Sequence, residues 1–245
     1  MRADEALVAR GLAPSRSRAQ AEIKAGHVVM DGAQVRKPSQ KIPDNAALTL
    51  TGQVTRWVSR AGEKLAHGLA HFDVDVRGKV ALDVGASTGG FVEVLLDAGA
   101  ASVYAVDVGT GQLHPSLLGD ARVVSLEQMD ARNLSAELIK TAPEIVTCDA
   151  SFIGLAKVIA VPLLLAVPGA HFVGLIKPQF EVGRAHIGKN GIVRTDAPVA
   201  ACRQEIESFL VGQGWRILGQ TLSPIKGGDG NQEYLIAAIK EGEQP

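Results

Sequence analysis

The sequence predicts an α/β protein in which a small α+β domain precedes a doubly wound sheet. From residue 79 onward, short apolar runs alternate with segments of helical periodicity, which is typical of parallel strands joined by helices. The first fifty residues differ, because two short helical segments there come before short strands. A length of 245 residues allows one small and one larger domain, and an apolar fraction of 46% is enough for a packed core.

The small domain is divided by glycines and by a capping serine. Helices are predicted over 4–12 and 17–25, and strands over 27–30 and 47–50. Gly11 and Gly26 end the two helices, and Ser15 is the expected N-cap of the second. Asp31 and Gly32 are expected to form a tight turn between strands.

The larger domain is placed at 61–245, behind a linker at 55–60 and the small domain at 1–54. A helix over 59–72 precedes its first strand. Strands are predicted over 80–84, 102–106, 122–125, 145–148, 172–176, 215–222 and 233–239, and further helices over 88–98 and 198–213. This alternation is the basis for predicting a doubly wound sheet.

The stretch 158–176 is apolar enough to be compared with a membrane span. Its nineteen residues include no Asp, Glu, Lys or Arg, whereas a spanning helix needs roughly 20 apolar residues. Because it contains Pro162, Pro168 and Gly169, we interpret it as a buried helix, a turn and a strand over 171–176. No association with a membrane is expected.

The cysteines and the N-terminus bear on the compartment. Neither Cys148 nor Cys202 belongs to a Cys-x-x-Cys pair, so the sequence indicates no metal site and no disulfide framework. The first residues lack the apolar core of a signal peptide. We therefore expect a cytoplasmic protein, and a monomer is the favoured oligomeric state.

Charge is distributed unevenly along the chain. Residues 1–60 contain ten Lys and Arg against five Asp and Glu, a net charge of +5, and the remaining residues carry −6. A basic arm on an acidic body favours a polyanionic partner, although chance placement of surface charges remains an alternative.

The basic arm also contains a motif. The segment LVARGLAPSRSRAQAEIKAGHVVMDG, residues 7–32, resembles the alpha-L RNA-binding module of a small-subunit ribosomal protein and of pseudouridine synthases. The resemblance implies contact with the RNA backbone through Arg16, Arg18 and Lys24. Such side chains suit phosphate oxygens because they are cations with several donors. The alternative is an ordinary solvated helix face.

The first strand of the larger domain leads into a glycine-rich turn. The turn reads Asp83-Val84-Gly85-Ala86-Ser87-Thr88-Gly89, and small residues there let the backbone approach a ligand at a helix N-terminus. NAD binding would prefer G-x-G-x-x-G, so the pattern favours a Rossmann-like domain for S-adenosylmethionine.

Asp107 and Val108 follow the second strand, where a carboxylate commonly binds ribose hydroxyls. Asp130, after the third strand, is placed to reach adenine, with a helix or turn cap as the alternative.

Four charged residues are candidates for the chemistry. Lys64 lies on the helix before the first strand, Asp149 and Lys177 follow the fourth and fifth strands, and Glu233 opens the last. Open α/β sheets build active sites at the carboxyl ends of their strands. Each residue alone is more often structural or solvated, but the set at one edge favours an active site.

The catalytic part resembles the FtsJ-type ribose 2'-O-methyltransferases, in which a Lys-Asp-Lys-Glu tetrad corresponds to Lys64, Asp149, Lys177 and Glu233. With the leading RNA-binding module, the whole chain is similar to the TlyA family, also called hemolysin A. The motifs that carry the resemblance are RWVSRAGEKL, DVGASTGGFVEVLLDAGA, VDVGTGQL, CDASFI, LIKPQFEVGR and GNQEY. The resemblance implies methylation of cytidine riboses in ribosomal RNA or ribosomal subunits.

Two further segments are interpreted with open alternatives. The glycine-rich, basic segment 183–191, with Arg184 and Lys189, is predicted to be a mobile loop over RNA, or else a plain connector. Phe152, which follows Asp149, stacks on a base or belongs to the core.

Three other functions compete with ribose methylation. A base methyltransferase would favour a motif such as N-P-P-Y after the fourth strand, where this chain has Asp149-Ala150-Ser151-Phe152. A membrane-damaging hemolysin would need a spanning helix or a cationic amphipathic arm. A non-catalytic ribosome-binding assembly factor would not need the complete tetrad.

Overall fold

The computed structural model describes residues 1–13, 16–24, 26–51, 56–188, 191–193 and 196–242. Contacts divide the chain into two compact units, one over residues 1–54 and the other over residues 55–245. Each unit has its own hydrophobic core.

The first unit packs two helices on a small antiparallel sheet. Its elements are α1 (Ala3–Ala9), α2 (Arg16–Lys24), β1 (Val28–Met30), β2 (Ala33–Gln34) and β3 (Leu48–Leu50). The central strand is β1, paired with β2 and β3. Both helices, the turn at Asp31 and Gly32, and the strands β1 and β3 lie where the sequence predicts them, although α1 ends at Ala9 rather than at residue 12; β2 was not predicted. The Ser15 cap lies outside the described residues.

The second unit is an α/β domain that begins with a helix. Its helices are α3 (Ala61–His71), α4 (Gly90–Asp97), α5 (Pro115–Leu118), α6 (Leu155–Leu165), α7 (Pro178–Glu181) and α8 (Asp196–Gly212). Its strands are β4 (Val80–Val84), β5 (Ser102–Val106), β6 (Val123–Leu126), β7 (Ile145–Cys148), β8 (His171–Ile176), β9 (Trp215–Leu222) and β10 (Tyr234–Lys240). Single 3-10 turns occur at Ala131–Asn133 and Arg184–His186.

These strands form one seven-stranded sheet in the order β6-β5-β4-β7-β8-β10-β9. All neighbouring pairs from β6 to β8 are parallel, whereas β10 runs antiparallel to both β8 and β9. The strand order reverses between β4 and β7, and a crevice forms at the carboxyl ends of strands at such a point. Apolar residues of α3 and α4 cover one face of the sheet, and those of α6 and α8 cover the other.

The apolar stretch 158–176 forms most of α6, a turn and β8, as the sequence predicts. Pro162 lies inside α6, and every residue of β8 except the first, His171, is buried. Among the described residues, no helix is long and apolar enough to cross a membrane.

Candidate active site

The turn between β4 and α4 needs glycine at two positions. Gly85 has φ +83°, and a Cβ atom there would lie 2.9 Å from the backbone of Ala150. Gly89, the N-cap of α4, has φ +95° and packs against Leu113 and Leu117. L-residues with side chains avoid this left-handed region, so the turn keeps its shape only with glycine. The backbone therefore approaches the crevice closely at this point.

A cavity of about 460 Å³ lies on one side of this turn. Five of the residues predicted to bind the cofactor line it: Gly85, Ser87, Asp107, Val108 and Asp130. Val108 is 72% exposed and offers an apolar surface at the entrance. Met129, Ala131 and Ile153 add apolar surface to the walls. A mostly apolar cleft with a few carboxylates suits a nucleoside.

Asp107 is held in a fixed orientation at the end of β5. Its two carboxylate oxygens accept the backbone N–H groups of Ser87 at 2.8 Å and Gly109 at 2.7 Å. A carboxylate has about four lone-pair sites, so each oxygen keeps capacity for another donor. Asp107 can therefore accept both hydroxyls of a ribose.

Asp130 combines a capping role with a place in the cavity wall. Its Oδ1 accepts the backbone N–H of Arg132 at 2.9 Å and so caps the 3-10 turn, while the Arg132 guanidinium donates to Oδ2 at 2.6 Å. The hydrogen bond from Arg132 lowers the pKa of Asp130 to about 2. The cap that the sequence left as an alternative is present, and contact with adenine stays a prediction.

A second cavity, of about 390 Å³, contains the four candidate catalytic residues Lys64, Asp149, Lys177 and Glu233. Ala86 and Thr88 line this cavity rather than the first. The walls common to both cavities are Gly85, Ser87, Asp149, Ser151 and Phe152. The two cavities thus adjoin at Asp149. A chemical group could pass at this point from a ligand in one cavity to a ligand in the other.

Lys177 is held by one ion pair and two hydrogen bonds. Its Nζ forms an ion pair with Asp149 Oδ1 at 2.6 Å, and donates to the Asp149 carbonyl at 3.0 Å and to Ser151 Oγ at 2.8 Å. These three contacts orient the ammonium group in the cavity wall.

Lys64 and Glu233 form the second ion pair of the cavity. Lys64 Nζ lies 2.6 Å from Glu233 Oε2, and both side chains are more than 90% buried. The pair joins α3 to the segment just before β10, residues 169 positions apart in the chain. Buried ion pairs of this kind contribute little net stability, which favours a functional reason for their presence.

Two residues predicted to bind the cofactor line neither cavity. Gly89 is the N-cap of α4 and faces Leu113 and Leu117 rather than a cavity. Asp83 is completely buried in β4, where its Oδ1 accepts the hydroxyl of Thr147 at 2.7 Å. Burial raises the pKa of Asp83 to about 7, with the charges of Asp149 and Asp107 acting in the same direction. The structure therefore places Asp83 beneath the site and not in its surface, because its side chain is fully enclosed and lines neither cavity.

Several residues in the site were missed or left open by the sequence. Phe152 is 90% exposed, has φ +67° and lies with its ring centroid 5.2 Å from that of Phe180. A bulky residue with positive φ is rare and is often found at functional sites. The core interpretation of Phe152 is therefore wrong. Ser59, Arg60 and Gln179 also line the second cavity.

The residues predicted to bind RNA are only partly described. Arg16 is exposed, and its guanidinium lies 3.3 Å from Asp4 and 3.7 Å from Glu5. Arg184 is exposed in its short 3-10 turn. The side chains of Arg18 and Lys24, and Lys189 altogether, lie outside the described residues.

Comparisons with known proteins agree with this geometry. Residues 57–240 match the FtsJ-like methyltransferase family, and residues 1–47 match the S4 domain. The chain is 45% identical over 241 residues to the 16S/23S rRNA (cytidine-2'-O)-methyltransferase TlyA of Mycobacterium tuberculosis, covering 96% of this chain and 88% of the relative. It is 39% identical to Hemolysin A of Brachyspira hyodysenteriae, covering 98% and 100%.

A solved structure extends the comparison to three dimensions. A protein from Streptococcus thermophilus described as a hemolysin superposes with a TM-score of 0.79 at 40% identity, covering all of this chain and 90% of that one. The FtsJ-like match covers well over half of the chain, and its cofactor is S-adenosylmethionine. The chain therefore belongs to the FtsJ-like methyltransferases that carry an S4 domain, the TlyA family.

Proposed function

We propose that this enzyme transfers the methyl group of S-adenosylmethionine to the ribose 2'-hydroxyl of cytidine in ribosomal RNA. The observation that carries the proposal is the meeting of two cavities at Asp149, one suited to a nucleoside and one holding two buried Lys–carboxylate pairs. The name of the M. tuberculosis relative supports cytidine in ribosomal RNA as the target.

The first cavity would hold the cofactor. Asp107 would accept the ribose hydroxyls, Asp130 would accept the adenine amine, and Gly85 and Ser87 would lie against the rest of the molecule. When bound, S-adenosylmethionine supplies a methyl group that is already activated by its sulfonium. Because the donor is activated, the work left to the protein is largely orientation of the acceptor.

The second cavity would hold the ribose. Its 2'-hydroxyl is a poor nucleophile until the proton leaves. Lys177 Nζ is placed to receive that proton as a neutral amine, or as an ammonium to stabilise the negative charge that develops on the attacking oxygen. Asp149 fixes Lys177 and lies at the boundary with the cofactor cavity. The Lys64–Glu233 pair lines the same cavity and would orient the sugar.

Binding of RNA would involve both units. The S4 domain and the net charge of +5 over residues 1–60 support contact with RNA phosphates. Phe152 offers an exposed ring at the rim for stacking on the target base.

We place the reaction in the cytoplasm, where ribosomal RNA is made and assembled, and we propose that a monomer carries it out.

The test is transfer of label from S-adenosylmethionine to naked ribosomal RNA and to intact ribosomal subunits. Wild type is expected to label RNA, and Lys177→Ala to lose about 10²–10⁴-fold in rate, the range for a positioned acid–base group. Lys140→Ala is the matched control, because Lys140 is exposed and outside both cavities. Equal activity of wild type and Lys177→Ala would contradict the proposal.

A further inference from the structure

We propose that Gln179 binds the ribose of the target nucleotide beside the reacting hydroxyl. The inference rests on the proposed function, because it names a substrate contact within that same site. Gln179 is the second residue of α7 and lies two positions after Lys177. It lines the second cavity together with Lys64, Lys177 and Glu233.

The amide oxygen of Gln179 is buried and has no hydrogen-bond partner among the described residues. The residue is 9% exposed, and its Oε1 accepts no hydrogen bond from the described part of the chain. Buried polar groups in native proteins are nearly always hydrogen-bonded, so an unpaired buried amide in a cavity wall needs a reason. A ligand that completes the pairing is such a reason.

The two lysines of the cavity already have ionic partners. Lys177 forms an ion pair with Asp149 and donates hydrogen bonds to the Asp149 carbonyl and to Ser151 Oγ, and Lys64 is paired with Glu233. The amide therefore remains available for a ligand in this cavity without breaking an ion pair.

The turn that carries Gln179 is fixed. The N–H of Phe180 donates to the Lys177 carbonyl at 2.9 Å, and that of Val182 donates to the Pro178 carbonyl at 3.0 Å. On the far side, Glu181 Oε1 accepts the backbone N–H of Leu155 at 2.7 Å, which ties α7 to the start of α6. These hydrogen bonds hold the backbone on both sides of Gln179.

Position favours the sugar over the base as the occupant. Phe152 presents its exposed ring at the rim, which suits a stacked base, whereas Gln179 is buried next to Lys177. The sugar of an RNA nucleotide offers oxygens that accept a hydrogen bond and a 2'-hydroxyl that also donates one. An amide has both kinds of group, and its terminal torsion is soft enough to present either.

The test is Gln179→Met, which keeps the length of the side chain and removes its hydrogen bonds. We expect kcat/KM for ribosomal RNA to fall about 10- to 100-fold, because a site built to pair with a polar group discriminates strongly when the pairing is lost. The Kd for S-adenosylmethionine should stay within about twofold, since Gln179 lines only the second cavity. The Tm should be unchanged or higher, because an unpaired buried amide is replaced by an apolar group of similar shape.

Gln213→Met is the matched control, because Gln213 is exposed and outside both cavities, and it should behave as wild type. A Gln179→Met variant as active as wild type would overturn the inference alone. A variant that loses Tm and activity together would also overturn it, because that result indicates a structural role. A wild type that transfers no methyl group to RNA would instead overturn the proposed function, and this inference with it.

Discussion

The buried Lys64–Glu233 ion pair is better explained by a role in catalysis than by a contribution to stability. Both side chains are more than 90% buried and 2.6 Å apart. Taking two charges out of water costs about as much as their attraction returns, so an apolar pair of similar size would be at least as stable. Removing one partner is different, because the other charge is then left buried and alone.

A double-variant experiment separates these effects. Lys64→Met should lower the free energy of unfolding by about 3–5 kcal/mol, because Glu233 then lacks its partner. Adding Glu233→Leu should recover most of that loss, while methyl transfer stays abolished. Denaturant unfolding and a methylation assay on the three proteins give the answer. A double variant that is as unstable as Lys64→Met would show that the pair supports the fold.

The burial of Asp83 predicts that the stability of the fold depends on pH. Burial raises its pKa in the folded protein to about 7, whereas an unfolded chain has an Asp pKa of about 3.9. The folded state therefore holds a proton that the unfolded state releases between these values, and the contribution of Asp83 to stability falls as pH rises from about 4 to about 7.

Asp83→Asn should remove this dependence. Asparagine can still accept the Thr147 hydroxyl, and it carries no charge at any of these pH values. The variant should gain about 2 kcal/mol relative to wild type between pH ~5 and pH ~8, measured by denaturant unfolding at each pH. A constant difference across that range would mean that Asp83 does not titrate there.

The sequence could indicate which residues lie together in the site, but not which hydrogen bonds they form or how exposed they are. The four candidate catalytic residues were found because each stands at the carboxyl edge of the sheet or on the helix before it. Gln179 was missed, since only three-dimensional contacts show that its amide oxygen has no partner among the described residues. The exposure and positive φ of Phe152 are likewise properties of the turn after β7. Asp83 was placed in the cofactor site because it adjoins the glycines, whereas its side chain points into the fold.

At the scale of elements, the β4–α4 turn determines the shape of the cofactor cavity. Gly85 combines φ +83° with a separation of 2.9 Å between its ideal Cβ position and the Ala150 backbone. A side chain at this position would be strained and would press on the strand end that carries Asp149. Both the turn and the candidate catalytic edge would shift.

Gly85→Ala is therefore expected to weaken S-adenosylmethionine binding at least about tenfold and to destabilise the fold by about 1–3 kcal/mol, the typical cost of one strained backbone position. Gly212→Ala is the control, because Gly212 lies at the end of α8 with open space around it and no positive φ. That change should be neutral or stabilising by up to about 1 kcal/mol. Calorimetric titration and thermal unfolding measure both quantities; normal binding by Gly85→Ala would contradict this account of the turn.

Elements with strong apolar runs were predictable, and those set by tertiary contacts were not. The bounds of β4, β5 and β9 agree with the sequence prediction, because these strands are continuous apolar runs or end at clear turns. The start of α4 was placed at Thr88, but Gly89 is in the left-handed region and the helix begins after it. The short helix α7 and the strand β2 were not predicted. The antiparallel direction of β10 depends on its pairing with β8 and β9, which no local pattern encodes.

At the scale of the whole molecule, charge is the property that links the two units to RNA. Residues 1–60 carry +5 and the remainder −6, so contact with phosphates should come mainly from the N-terminal part. Neutralising phosphates releases counterions, which makes affinity for RNA fall as salt rises.

The KM for ribosomal RNA should accordingly rise on the order of 10- to 100-fold between about 50 and about 200 mM salt. The Kd for S-adenosylmethionine should change by less than about twofold, because the cofactor cavity is largely apolar and makes few charge contacts. Steady-state kinetics and calorimetry over the same salt series provide both values. A KM that does not respond to salt would mean that phosphate contacts contribute little to recognition.

The central claim is that the methyl group goes to a ribose oxygen. The most direct measurement is to treat unmodified ribosomal RNA with the wild-type protein and S-adenosylmethionine, digest it to nucleosides and identify the methylated product by mass spectrometry. The account predicts 2'-O-methylcytidine, with the added mass on the sugar fragment. A methyl group on the base fragment, or on a nucleoside other than cytidine, would contradict it.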